Sequence, residues 1–369
     1  MRTGTLNQSS QGVFSAGGWQ LVSDYEVTGS AITSYTFSGL NGDVDQEYRL
    51  ITKWVNGYNG ANACFLNFNS DFGSNYGYQY LYGGNTTVAA GRNAVAYQLL
   101  CDVTALNNIG FGETIIYAKS GYVRTSITKM CNGVNGTTVD NVRIEGQSWN
   151  NTADNITSIT VTPSGASLGV GTHLLLFKRN LIGADATSGT PTGTLNVQGK
   201  VTAGEFQKIY QNTLAAAATS VTIPGLDGNT DVLYELRARV VNGYAGQTSY
   251  TLASNNDAGA NYGYQLIQGV DTTAAAERGP YGPTYLGITQ SGTIMMASML
   301  MYAKSGFIRT FLTYEVRGCT GTTVNGINLW GQVWNNTVDN ITSMVISANQ
   351  TNGLGIGTVI ELFALRRKV

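Results

Sequence analysis

Hydrophobic and polar residues alternate along this chain in short runs, each closed by Asn, Asp, Ser or Gly. Tyr48-Arg-Leu-Ile-Thr-Lys-Trp-Val55 is one such run and leads into Asn-Gly, a pair that tolerates the positive φ of a tight hairpin. Cys64-Phe-Leu-Asn-Phe68, Thr114-Ile-Ile-Tyr117, Tyr122-Val-Arg-Thr-Ser-Ile-Thr128, Ile156-Thr-Ser-Ile-Thr-Val161 and Leu174-Leu-Leu-Phe177 read the same way. Such runs predict short strands, about eight in the first half of the chain. The one stretch that tempts a helix, Thr213-Leu-Ala-Ala-Ala-Ala-Thr219, is too short to hold one unaided.

The second half of the chain repeats the first. Tyr117-Ala-Lys-Ser-Gly-Tyr-Val-Arg-Thr125 returns as Tyr302-Ala-Lys-Ser-Gly-Phe-Ile-Arg-Thr310, and Trp149-Asn-Asn-Thr-Ala-Asp-Asn-Ile-Thr-Ser158 as Trp334-Asn-Asn-Thr-Val-Asp-Asn-Ile-Thr-Ser343. Asn75-Tyr-Gly-Tyr-Gln79 returns as Asn261-Tyr-Gly-Tyr-Gln265, and the opening Gly4-Thr-Leu-Asn7 as Gly193-Thr-Leu-Asn196. Self-similarity at a steady spacing marks a tandem duplication. The expected division is a first repeat at 1–180, a linker at 181–192 rich in small polar residues, and a second repeat at 193–369. Each repeat is large enough for its own core. Many short strands with regular turns make the expected fold all-β: two tandem copies of a jelly-roll-like antiparallel β-sandwich.

Composition narrows the function. Lys plus Arg number 21 against 22 Asp plus Glu, and charged residues are 12% of the chain. That leaves no basic excess for a phosphate backbone, so no nucleic-acid partner is expected. No apolar run approaches the ~20 residues of a spanning helix, and the polar start Met1-Arg-Thr-Gly-Thr-Leu-Asn-Gln8 has no apolar core of a secretory signal. The expectation is synthesis in a cytoplasm, without membrane insertion. Cys64, Cys101, Cys131 and Cys319 form no CxxC pair, so neither a zinc ribbon nor a disulfide framework is expected.

Candidate chemistry is sparse, and no metal or cofactor is expected. His173 is the single histidine and lies in a strand-like run, which favours a plain strand residue over a triad member. The acids retained between the copies are Asp45/Asp231, Asp71/Asp257 and Asp154/Asp339; no glutamate is, for Glu113 matches Ser298 and Glu145 matches Trp330. A glycosidase needs two carboxylates ~5–9.5 Å apart, and an enzyme reading rests on Glu113 or Glu145 in an acidic cleft. The retained aspartates sit in Asn/Gly-rich turns, where the usual role is to bond their own backbone; Asp71 and Asp257 could instead offer oxygens to Ca²⁺, which the turn reading outweighs. Arg124 and Arg309 suggest a pairing with Asp154 and Asp339. Trp149 and Trp334 favour core or edge packing over ring stacking on a ligand. Tyr76 with Tyr78, and Tyr262 with Tyr264, share one strand face that could be a contact surface. These six aromatics are the candidate surface contacts; no catalytic residue is assigned.

The patterns Asp-x-Gly-x-Asn-Tyr (from Asp71 and Asp257), Tyr-Ala-Lys-Ser-Gly, Trp-Asn-Asn-Thr-x-Asp-Asn-Ile-Thr-Ser and Gly-x-Gly-Thr (from Gly169 and Gly355), each present twice, resemble the β-sandwich domains of tailed-bacteriophage virion proteins, among them head decoration, head fibre and tail fibre proteins. The resemblance covers most of the chain. It implies a non-enzymatic virion component that contacts capsid or tail proteins and forms a homo-oligomer such as a trimer. The alternative is a receptor- or carbohydrate-binding module on the same kind of particle, with a host surface glycan as partner.

Overall fold

The computed structural model describes residues 19–165, 167–179, 206–270, 272–321 and 323–365. The expected linker at 181–192 and both Gly-Thr-Leu-Asn openings lie outside these residues.

The first copy runs β1 (Gln20–Glu26), β2 (Tyr35–Ser38), a single helical turn α1 (Gly42–Asp45), β3 (Glu47–Val55), β4 (Asn62–Phe68), β5 (Tyr76–Gly84), β6 (Thr87–Val95), β7 (Gln98–Val103), β8 (Ile109–Tyr117), β9 (Arg124–Val134), β10 (Asn141–Trp149), β11 (Ser158–Pro163) and β12 (His173–Arg179). The second follows it element for element: β13 (Phe206–Thr213), β14 (Ser220–Pro224), α2 (Gly228–Asp231), β15 (Leu233–Val241), β16 (Thr248–Ser254), β17 (Tyr262–Val270), β18 (Thr273–Tyr281), β19 (Thr284–Thr289), β20 (Ile294–Tyr302), β21 (Arg309–Cys319), β22 (Gly326–Trp334), β23 (Ser343–Ala348) and β24 (Val359–Leu365).

Each copy pairs an eight-stranded sheet, β1-β12-β3-β8-β9-β10-β5-β6, with a four-stranded one, β2-β11-β4-β7, and the second copy repeats both orders. The quartets β1-β12-β3-β8 and β2-β11-β4-β7 are the two sheets of a jelly roll. The hairpins β5–β6 and β9–β10 add four more strands to the edge of one sheet. The sequence expectation of about eight strands per copy caught the start of β9 at Tyr122–Thr128 and the tyrosine face of β5, but fell short of the twelve strands, with β6 and β10 among those not read. Ala215 to Thr219 form a bent segment held by the isolated bridge of Ala218 to Leu354 rather than a helix.

Alternation sends one set of side chains into each sandwich. In the first copy Leu50, Trp54, Ile116, Met130, Leu174 and Leu176 of the large sheet pack on Phe37, Leu66, Phe68, Ile159 and Val161 of the small one. Much of the opposite face of the large sheet is also covered. Ile51, Phe111, Cys131, Val142, Leu175 and Phe177 join Leu233, Leu300, Leu312, Leu329 and Val333 of the second copy in one apolar cluster. The two large sheets thus lie face to face, and the layers run small, large, large, small. This is why all nine residues of β3 are buried, including Arg49, Thr52 and Lys53.

The cysteines are thiols. Cys64 faces Cys101 across the β4–β7 register, while burial pushes Cys131, at the seam between the copies, up to about 12.

Candidate functional site

The retained motifs are structural. Trp149 is fully buried against Phe68, with ring centroids 5.2 Å apart, and its Nε1 donates to Asp71 Oδ2 at 2.7 Å. Asp71 also accepts from Gly73 N at 2.9 Å and from Asn75 Nδ2, so its carboxylate closes an Asx turn beneath the tryptophan. Burial alone would raise the Asp71 carboxyl; the bonds from Trp149, Asn75 and Gly73 outweigh it and hold the group below the usual carboxylate range. Trp334, Asp257, Asn261 and Gly259 repeat the arrangement. With their oxygens committed to these donors, the two aspartates serve turns.

Arg124 lies over the Trp149 ring, 5.3 Å from its centroid, and donates to the backbone carbonyls of Tyr122, Asn151 and Asp154. Arg309 does the same over Trp334 with Phe307, Asn336 and Asp339. The expected carboxylate partners are corrected here. The guanidinium caps the loop through its carbonyls, and the Asp154 carboxylate instead accepts from Asn151 Nδ2 at 2.7 Å.

Five of the six candidate contact aromatics are removed from the surface. Trp149 and Trp334 are core residues, and so are Tyr76 and Tyr262, whose hydroxyls accept from Phe68 N and Ser254 N. Tyr264 is buried too, edge-on to Trp330, and donates to Glu277 at 2.5 Å. Tyr78 alone stays half-exposed, stacked on Tyr80. The alternation that places each tyrosine pair on one face holds, but that face points into the sandwich.

The molecule's charged chemistry collects where the two large sheets meet. Arg49 of β3 binds Glu113 at 2.6 Å and, across the seam, Glu235 at 3.0 Å. Arg49 and Glu235 occupy the same position in the two copies. Lys129 joins Glu113 at 2.6 Å and Arg237 joins Glu235 at 2.7 Å. Together they line a cavity of about 340 Å³ that also touches Tyr117 and Tyr314. Burial would raise the Glu113 carboxyl, but Arg49 and Lys129 bring it down to about 2; Glu235 is lowered in the same way. Both shifts run opposite to the raised value a glycosidase acid uses. Glu145 does not complete a pair, because it lies inside the first sandwich beside Arg143, on the face of the sheet opposite Glu113.

A second polar knot closes one end of the seam. His173 Nε2 lies 2.7 Å from Asp24 Oδ1, and Nδ1 3.1 Å from the Tyr302 hydroxyl of the other copy. Lys53 sits over the Phe307 ring, 3.2 Å from its centroid, and donates to Gly171 O at 2.8 Å. Burial pushes Lys53 well below the usual lysine range, against the pull of Glu26. Lys304 completes the knot with Glu26 at 2.7 Å. His173 is therefore the strand residue the sequence suggested, with an added duty as an inter-domain tie.

Sequence reasoning missed Arg49, Glu235, Lys53 and Tyr302 as a group. The available signal was charged residues set inside strongly apolar strands. It also missed the matched glycines Gly77/Gly263 and Gly146/Gly331, which lie mid-strand on the outer faces of the large sheets. Over Gly77 and Gly146 runs an open groove of about 860 Å³ bordered by Gln79, Tyr117, Thr125, Ile127 and Ser148. Among the described residues no group of three or more His, Cys, Asp or Glu could hold a metal, and no helix is long and apolar enough to cross a membrane.

The fold defines a tandem jelly-roll protein with its copies joined through their large sheets. No family model matches the chain, and no curated protein matches it. Among solved structures it is similar to Ail, the attachment invasion locus protein of Yersinia pestis, at 7% identity over 75% of this chain and 99% of that one, with a TM-score of 0.10. It is also similar to domains LG4–5 of the mouse laminin α1 chain, at 8% identity over 95% of this chain and 92% of that one, with a TM-score of 0.15. At such TM-scores neither likeness carries an argument.

Proposed function

We propose that this is a structural, non-enzymatic surface protein of a tailed-bacteriophage virion, a capsid decoration or a head or tail appendage that acts through protein–protein contacts. The observation that carries the reading is the use to which the charged groups are put. Arg49, Glu113, Glu235, Lys53 and Lys304 are all spent on fastening two jelly rolls together. What remains outside is broad sheet surface, suited to recognition by shape. The link to a virion rests on the sequence resemblance and on the jelly roll as an architecture common among capsid proteins, which is an analogy of fold.

Sedimentation of purified protein with and without empty phage capsids tests it. Binding at a fixed ratio supports decoration, and an oligomer that ignores capsids supports an appendage. A monomer that binds neither capsids nor tails overturns the reading. A second reading, binding of a host surface glycan, is favoured by the groove over Gly77 and Gly146, where Tyr117 and polar Gln79, Arg92 and Asn93 line an open trough.

A further inference from the structure

The contact between the two copies is one-sided, and each copy is left with half of it unused. On the second copy, Gly263 and Gly331 leave the outer face of β17 and β22 bare. A Cβ on Gly263 would lie 1.6 Å from the Thr137 carbonyl oxygen, and one on Gly331 would lie 2.2 Å from Cys131 Cβ. These glycines form a socket, and the β9–β10 hairpin of the first copy fills it with the Thr137 backbone and with Cys131, Val139 and Val142, all three fully buried, while Phe111 of neighbouring β8 joins the same apolar cluster.

The same socket exists on the first copy, and among the described residues nothing fills it. A Cβ on Gly146 would meet only the Gln79 carbonyl at 4.0 Å, and one on Gly77 only Ser148 Oγ at 3.1 Å and Asn93 O at 3.8 Å. Neither glycine has a positive φ, so backbone conformation does not require it. Glycine inside a strand costs roughly 0.5–1 kcal/mol and often marks the close approach of another backbone. On the second copy that backbone is present.

The matching plug is also unused. The second-copy residues equivalent to Phe111, Val139 and Val142 are Met296, Val324 and Ile327, and they are 59%, 56% and 50% exposed. One chain thus carries an occupied pair, a vacant socket and a free plug, all of one design.

We infer that the groove over Gly77 and Gly146 is the docking site for the β21–β22 face of a second copy of this chain. The interface is head-to-tail, and its repetition gives a closed ring or an open filament, depending on the rotation between subunits. The inference deepens the structural-protein reading and rests on it for its biological setting. The two fail separately: a chain that stays monomeric alone yet still sediments with capsids loses only the self-association.

The test is sedimentation equilibrium over a range of concentrations on the full chain and two variants. Gly77→Val/Gly146→Val blocks the socket, and Met296→Glu/Ile327→Glu spoils the plug. Melting temperatures close to wild type would show that both still fold. Wild type should associate with rising concentration, and each variant should associate at least about 30-fold more weakly, as loss of a central contact implies. Mixed together, the two variants should form a 1:1 complex and stop there, because only one good plug and one good socket remain. A monomeric wild type, or association that neither variant weakens, overturns the inference. In the first case, an intramolecular cross-link between Gly146→Cys and Ile327→Cys would show the groove filled from within the chain. A surface polysaccharide bound in the groove by a monomeric chain would give it to a glycan.

Discussion

Tyr117 and Tyr302 stand at the head of the same five-residue motif, yet one is 47% exposed and the other is fully buried. Their local structures match: each ends the strand before the Lys-Ser-Gly turn. The difference lies in what reaches them from the other copy. His173 and Lys53 close over Tyr302, whereas their counterparts in the second copy are Val359 and Arg239, neither of which lines the cavity or the groove that Tyr117 borders. A duplicated sequence therefore builds two equal sandwiches and still joins them unequally, because the joining residues belong to the pair rather than to either copy.

The comparison can be broken most forcefully at Arg49. Replacing it with Ala leaves Glu113 and Glu235 buried without their shared cation, at an expected cost of about 3–5 kcal/mol measured by denaturant unfolding. Next come the glycines. Gly263→Val or Gly331→Val should cost at least about 1–3 kcal/mol through overpacking at the seam, while Gly146→Val in the empty socket should leave the melting temperature nearly unchanged. Equal losses in both copies would show that the sockets do not differ.

Acid should loosen the seam. Glu113 titrates near 2 in the folded protein against an ordinary 4.5, so its ionisation stabilises the joined form fully above about pH 4.5. That share disappears as the pH falls toward 2. Stability followed from pH 6 to pH 2 should drop less steeply for Glu113→Gln than for wild type. Trp149→Phe and Trp334→Phe sharpen the comparison from the other side. Each removes the same bond to an Asx turn, so the two losses should agree at about 1–2 kcal/mol. The smallest contrast is at the motif lysines. Lys304→Ala loses the pair with Glu26 and should cost up to about 1 kcal/mol, whereas exposed Lys119→Ala should cost nothing measurable.

Much of each sandwich was legible in the residues. Alternation located the jelly-roll strands, and Asn-Gly and Lys-Ser-Gly marked turns. The aspartates proved to be turn residues because their neighbours are the donors an Asx turn needs. The β5–β6 hairpin was harder to see, since Thr87-Val-Ala-Ala-Gly-Arg-Asn-Ala-Val95 is poor in the β-branched and aromatic residues that announce a strand. The contact role given to Trp149, Trp334, Tyr76 and Tyr262 failed for a physical reason. An aromatic beside a polar turn looks the same in sequence whether it faces water or covers the turn from inside.

The sequence by itself determined the duplication, the all-β class and the turns, because repeats, period-two patterning and turn chemistry are properties of neighbours along the chain. Only the tertiary structure decided that the large sheets face each other, that Arg49 meets its own counterpart Glu235, and that one glycine socket is filled while its twin stands open. Those outcomes depend on which surfaces meet across some 185 residues of chain, and no local pattern encodes that meeting.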